Sequence, residues 1–231
     1  MTASCTGLHC QSTDDILDGC AWIAQFNELP TERAKVYRRL NSIPAEWGQG
    51  RASFGGLVVA LQYEDGIVLV AENPSNTLRK ISEIYDRIAF AGVGKYNEFD
   101  QLRVAGVRAA DLKGYQFSRL DVDARGLANQ YAQILGQTFT HEMKPLEVEI
   151  LVAEVGLTPD QDQLFHIMYD GTVVDEHQFT VLGGDMETIR GRMAERFVAG
   201  SSLHDAVKFA HQALSTTDLP INSSELEVAV L

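Results

Sequence analysis

At 231 residues with 45% apolar side chains, the chain is long enough for one large domain with a sizeable core. Nineteen Lys and Arg stand against 32 Asp and Glu, a formal charge of -13, which argues against the clustered cations that nucleic-acid binding requires. No apolar run approaches the roughly 20 residues that span a bilayer, and the opening MTASCTGLHCQSTDD lacks the basic and apolar regions of a signal peptide, so a cytoplasmic protein is expected.

Residues 1–29 show only a short apolar cluster, Ile16, Leu17, Trp22, Ile23 and Phe26, and read as an extension whose order depends on a partner. Cys5, Cys10 and Cys20 all fall there. An odd number outside the core is no disulfide framework, and with His9 their spacing matches no familiar zinc site, so they read as reduced thiols. In TERAKVYRRL (31–40), Val36 and Leu40 share a helical face with Tyr37 beside them, which predicts a short amphipathic helix, either solvated or packed on a neighbouring subunit. Ile43-Pro44 and the four glycines of 48–56 then form a loose lead.

The stretch GLVVALQYEDGIVLVAE (56–72) holds two β-branched apolar runs, 57–61 and 67–70, with Asp65-Gly66 offered as the pair that takes the positive φ of a hairpin turn. The first run does not alternate apolar with polar, so both of its faces should be covered. Further short strands are predicted at 80–84 and 88–92. A helix follows, capped by Asn97 or a neighbour, with Phe99, Leu102, Gly106 and Ala110 inward, ending near Leu112 before Gly114. A second helix from Asp123 carries an inner stripe of Leu127, Tyr131, Ile134, Leu135 and Thr138.

Strands return at 148–155, 164–169 and 172–174, spaced as an antiparallel meander. Two more helices are expected. One is capped by Asp185, with Met186, Ile189, Met193 and Phe197 inward; the other opens at Ser202-Leu203-His204-Asp205, with Val207, Ala210 and Leu214 inward. A strand at 226–231 closes the chain. This order predicts an α+β fold, two sheets between two helical layers in a four-layer αββα sandwich.

From about residue 57 to 231 the chain resembles a proteasome α-type subunit of the actinobacterial kind, on VAENPS (70–75), LRKISEIYDR (78–87), GKYNEFDQLR (94–103), LANQYAQILG (127–136), KPLEVEILVAEVG (144–156) and YDGTVVDE (169–176). The resemblance implies the Ntn-hydrolase-like proteasome subunit fold over 56–231. It leaves 1–55 as an N-terminal extension with one amphipathic helix and a gate or access segment. Tyr85-Asp86-Arg87 repeats the residue types of the family's gate triad but falls among the strands, and is read as coincidence.

In catalytic relatives the first strand begins with a threonine, serine or cysteine whose free α-amino group acts as base. Sliding the catalytic hairpin onto this one, with its acidic residue on Glu72, puts that position at Gly56, which has no side chain to attack a carbonyl; no Gly-Thr processing junction precedes it. Ser53, after Ala52, lacks a convincing cleavage context. The six histidines include no pair spaced as a metal site, and Gly183-Gly184-Asp185 reads as a cap rather than an anion site.

The resemblance therefore implies a non-catalytic α subunit with no catalytic residue, cofactor or metal. Seven identical copies would form the outer ring on the β rings, gate unfolded substrates and dock an AAA ATPase. Lys80 would receive the carboxylate of the activator's C-terminal tail, with Arg79 on the alternate face of the strand as its contrast. The alternatives are a self-compartmentalised threonine hydrolase of the β, HslV-like or Anbu-like type, and a solitary scaffold with no β partner.

Overall fold

The computed structural model describes residues 56–75, 77–184, 186–215, 221–222 and 225–231. The expected arm, the 31–40 helix, the three cysteines, Ser53 and the Asp185 cap lie outside the described residues. Those described form, in order, β1 (Val58–Tyr63), β2 (Gly66–Glu72), β3 (Ile81–Tyr85), β4 (Ile88–Gly94), α1 (Tyr96–Gln116), α2 (Ala124–His141), β5 (Val148–Glu154), β6 (Gln163–Ile167), β7 (Val173–Glu176), β8 (Phe179–Leu182), α3 (Met186–Arg196), α4 (Leu203–Leu214) and β9 (Leu226–Val230).

Two antiparallel sheets result, one ordered β8-β1-β2-β9 and the other β3-β4-β5-β6-β7. The expected αββα sandwich is present, with three apolar seams. Val58, Ala60, Ile67, Leu69 and Ala71 meet Ala91, Leu151 and Leu164 between the sheets. Val59, Leu61, Val68 and Val70 meet Ile189, Met193, Ala206 and Ala210 of α3 and α4. Phe90, Ile150 and Val152 meet Leu102, Leu127, Tyr131 and Leu135 of α1 and α2. The continuous apolar run of β1 follows directly: a strand with a sheet on one face and helices on the other has no solvent side to make polar.

Several expected details shift. Pairing of Tyr63 with Gly66 makes Glu64-Asp65 the central residues of the hairpin turn, and Gly66 does not take positive φ. Its glycine is explained instead by close approach, since a Cβ there would collide with the carbonyl oxygen of Leu231. Helix α1 starts at Tyr96 with Lys95 at the N-cap and no side-chain cap, so Asn97 lies inside it. The helix also runs through Gly114 to Gln116. Gly114 is no terminator: a Cβ there would strike the Tyr85 hydroxyl, as one at Gly106 would strike that of Tyr131. Both glycines let neighbouring aromatic side chains lie against the helix backbone.

Helix α2 begins just after Asp123, as expected, and Asp123 is its cap, accepting from the Gly126 N–H at 2.9 Å. Its inner stripe is Ala124, Leu127, Ala128, Tyr131, Leu135 and Phe139, whereas Ile134 is exposed and Thr138 half-buried. Burial therefore follows the i, i+3, i+4 rows through Tyr131 rather than through Ile134. Ser202 caps α4, accepting from the Asp205 N–H. Strand β8 was not expected. It pairs Val58 with Leu182 and Leu61 with Phe179 on the edge of the hairpin, after Gln178 takes φ 67°.

Tyr85-Asp86-Arg87 spans the end of β3 and the β3–β4 turn, where Arg119 binds the Asp86 carboxylate through two nitrogens and lies over the Tyr85 ring. The hydrogen bonds from Arg119 hold the Asp86 carboxyl below its ordinary value. In this setting the three residues fasten a hairpin to the α1–α2 connection.

Candidate functional site

The start of β1, the end of β2 and the segment before β3 converge at one edge of the sandwich. Gly56 takes φ 86°, in the left-handed region that favours glycine. Directly over its α-carbon stands the Lys80 ammonium, which occupies the space a Cβ would need. Lys80 Nζ donates to the Glu72 carbonyl oxygen. Glu72 N–H in turn donates to the Leu57 carbonyl at 2.9 Å, so Gly56, Glu72 and Lys80 form one small cluster. The hairpin register used to align Gly56 and Glu72 thus brings the lysine to the same place, which their separation in the chain did not reveal.

Lys80 is half-buried and precedes β3, which begins at Ile81; Arg79 beside it is exposed and outside the strand, so the two do not alternate on one strand. Burial lowers the Lys80 pKa from its ordinary value, against the opposing influence of the Glu72 and Glu227 carboxylates. A partly desolvated ammonium favours an anion that can reach it, because charge-assisted bonds strengthen as water is removed. At position 56 no side chain is present to act on a carbonyl group.

Two residues that sequence reading passed over build the frame around Lys80. Glu227, on β9, is buried and accepts from Asn73 Nδ2 at 2.6 Å, from the Lys80 backbone N–H at 3.1 Å and from the Ile81 N–H at 3.2 Å. Asn73 Nδ2 also reaches the Leu78 carbonyl at 2.7 Å, and Asn73 N–H donates to the Glu225 carbonyl at 2.6 Å. The available signal was one carboxylate set in an otherwise apolar closing strand, LEVAVL.

The histidines play other parts. His166 is buried in β6, 3.5 Å from the carboxylate of Glu149 on β5, and His211 contacts the Ile221 carbonyl at 2.9 Å. Neither joins the cluster at Gly56. Among the described residues no helix is long and apolar enough to cross a membrane.

The family described as "Proteasome subunit" matches residues 52–231. A "Proteasome subunit alpha" of Acidimicrobium ferrooxidans is 57% identical over 187 residues, covering 81% of this chain and 81% of the relative. One of Thermomonospora curvata is 52% identical over 189 residues, covering 81% and 82%. One of Saccharopolyspora erythraea is 54% identical over 182 residues, covering 77% and 70%. A two-sheet core between helix pairs, the match over all of it and this level of identity leave one conclusion: the chain belongs to the proteasome subunit family.

Proposed function

We propose that this chain is the non-catalytic α subunit of a 20S proteasome, forming the outer ring that gates substrate admission and docks an ATPase. The observation that carries the reading is the pairing of Gly56 with Lys80, in which a lysine ammonium fills the space a nucleophile's side chain would take. A threonine-type hydrolase needs a hydroxyl and a free amino group at that point. The α naming of the relatives points the same way. Identical copies meeting head to tail close into a ring, proposed here as heptameric, with β subunits on one face and an AAA ATPase on the other. Unfolded proteins would pass through its pore, in the cytoplasm where ATP for an unfolding motor is supplied.

In the proposed docking step, Lys80 binds the terminal carboxylate of the ATPase tail. Its ammonium is half-buried and partly desolvated, which strengthens that bond. Residues 1–55 are assigned to the pore side as the gate or access segment.

The purified chain alone is expected to show no turnover of fluorogenic peptides. The same chain co-expressed with a threonine-bearing β subunit is expected to form a particle that hydrolyses them and is blocked by a threonine-directed inhibitor. Turnover by the chain alone, blocked by that inhibitor and accompanied by an intact mass lacking a leader, would establish the threonine hydrolase instead.

A further inference from the structure

We propose that Glu227 is a positioning residue that sets the place of the Lys80 ammonium, so that the last strand of the fold shapes a carboxylate-binding site carried by the segment before β3. The proposal rests on the docking reading of Lys80 given above and adds the part that makes the lysine competent.

The geometry is specific. Strands β9 and β3 are edge strands of different sheets, and no backbone ladder joins them. In β9, Glu227 lies opposite Ala71, a residue of the seam between the sheets, so its side chain turns inward where Val228 and Val230 turn out. It crosses that seam to the backbone of Lys80 and Ile81. One carboxylate oxygen takes the Ile81 N–H and the other takes the Lys80 N–H together with Asn73 Nδ2. Asn73 ties the same carboxylate to the Leu78 carbonyl, so the segment from Leu78 to Ile81 is held at several points by one side chain and its partner.

A lysine has four rotatable side-chain bonds, and the position of its ammonium is defined only if the backbone that carries it is defined. The Gly92 N–H donates to the Lys80 carbonyl at 3.1 Å, which fixes the far side of the same residue. The Lys80 N–H has Glu227 as its acceptor. The carboxylate also supplies negative charge close to a half-buried ammonium, in the direction that keeps the lysine protonated against its burial. Glutamine cannot reproduce this arrangement, because either orientation of its amide would turn an NH2 group toward an N–H that needs an acceptor.

The test uses assembled α–β particles and a fluorescent peptide matching the C-terminal tail of an AAA ATPase, with a free carboxylate or with the terminus amidated. Glu227→Gln is expected to weaken binding of the free-carboxylate peptide by at least about tenfold, the scale at which small misplacements of a positioned group are felt, with the amidated peptide unchanged. Glu176→Gln serves as the structural comparison. It removes another buried carboxylate, held by Arg190 at 3.0 and 2.7 Å on the edge strand farthest from β3, and is expected to leave both peptides unaffected.

Wild-type affinity in Glu227→Gln, or equal losses for both peptides, would overturn the inference. Lys80→Ala separates it from its premise: retained carboxylate binding there defeats the docking reading itself. Should Glu227→Gln fail to assemble, Asn73→Ala decides, since it removes one of the carboxylate's partners and is expected to cost roughly threefold in binding of the free-carboxylate peptide alone. Wild-type affinity in that variant would equally overturn the inference.

Discussion

Lys80→Ala in an assembled particle is expected to weaken capture of the ATPase tail by about 2–5 kcal/mol while leaving ring assembly intact, the cost of removing one partner from a desolvated charged pair. The side chain stands over Gly56 and donates to the Glu72 carbonyl, contacts internal to one subunit, so its truncation should spare the contacts that close the ring. Arg79→Ala is the contrast. That side chain is exposed in the residue next to it, and an exposed charge contributes about 0–1 kcal/mol. Equal losses from the two variants would assign the anchoring to general surface charge.

The pH dependence carries a definite sign. Burial lowers the Lys80 pKa, Glu72 and Glu227 resist that shift, and the proposed docking needs the protonated form. Affinity should therefore hold on the acid side of the lowered pKa and fall as pH rises through it, before an ordinary solvated lysine would begin to lose its charge. Affinity that stays flat until that ordinary lysine range would show that the site does not desolvate the ammonium.

Phe90→Ala is expected to give the largest loss of stability, about 3–5 kcal/mol, because it removes a ring from a seam with no room to collapse. Phe90 is 0% exposed, lies opposite Val152 on β5, and packs its ring 5.7 Å from that of Tyr131 on α2 at 52°. Its loss leaves a cavity between the second sheet and both helices that cover it. For a chain of this length each kcal/mol moves the midpoint by about 2–4 °C, so thermal unfolding should begin roughly 10 °C lower. Phe117→Ala, at a ring 74% exposed, should change stability by no more than about 0.5 kcal/mol. Comparable losses at the two positions would place the core elsewhere than between these layers.

The elements legible in the sequence were those with a strong period or a local cap. The β1 and β2 runs, the inward rows of α1 through Phe99, Leu102, Gly106 and Ala110, the start of α2 near Asp123 and the cap at Ser202 are each determined by neighbours within a few residues, so local reasoning reaches them. What escaped it depends on residues distant in the chain. Strand β8 is four residues long and follows a positive-φ glutamine where a glycine would have signalled the turn. Gly66 and Gly114 look like turn residues until Leu231 and Tyr85 are seen lying against them.

The candidate site divides in the same way. Gly56, Glu72 and Lys80 were readable through the resemblance and the hairpin register. Asn73 and Glu227 were not, because 154 residues separate the two ends of their hydrogen bond and only the folded chain brings them together. Ile134 failed for a simpler reason: a β-branched residue one step off the buried row still fits a helical period when the row is counted from the wrong neighbour.

The sheet that contains β1 and β2 has a consequence for synthesis on the ribosome. Its central hairpin is made first, yet its flanking strands, β8 and β9, are among the last segments translated, at Phe179–Leu182 and Leu226–Val230. The other sheet is contiguous from Ile81 to Glu176 and can be assembled as it emerges. For most of translation the strands VVALQY and GIVLVAE therefore lack their lateral partners, and a nascent chain displays two apolar strands competent to pair with any other chain at hand. Ribosome-stalled chains in which residues up to about 178 have cleared the exit tunnel should accordingly show protease resistance across 81–176 and cleavage within 58–72, with the latter protected only once residue 230 has cleared it as well. Protection of 58–72 in the shorter chains would mean that the hairpin finds cover before its native neighbours exist.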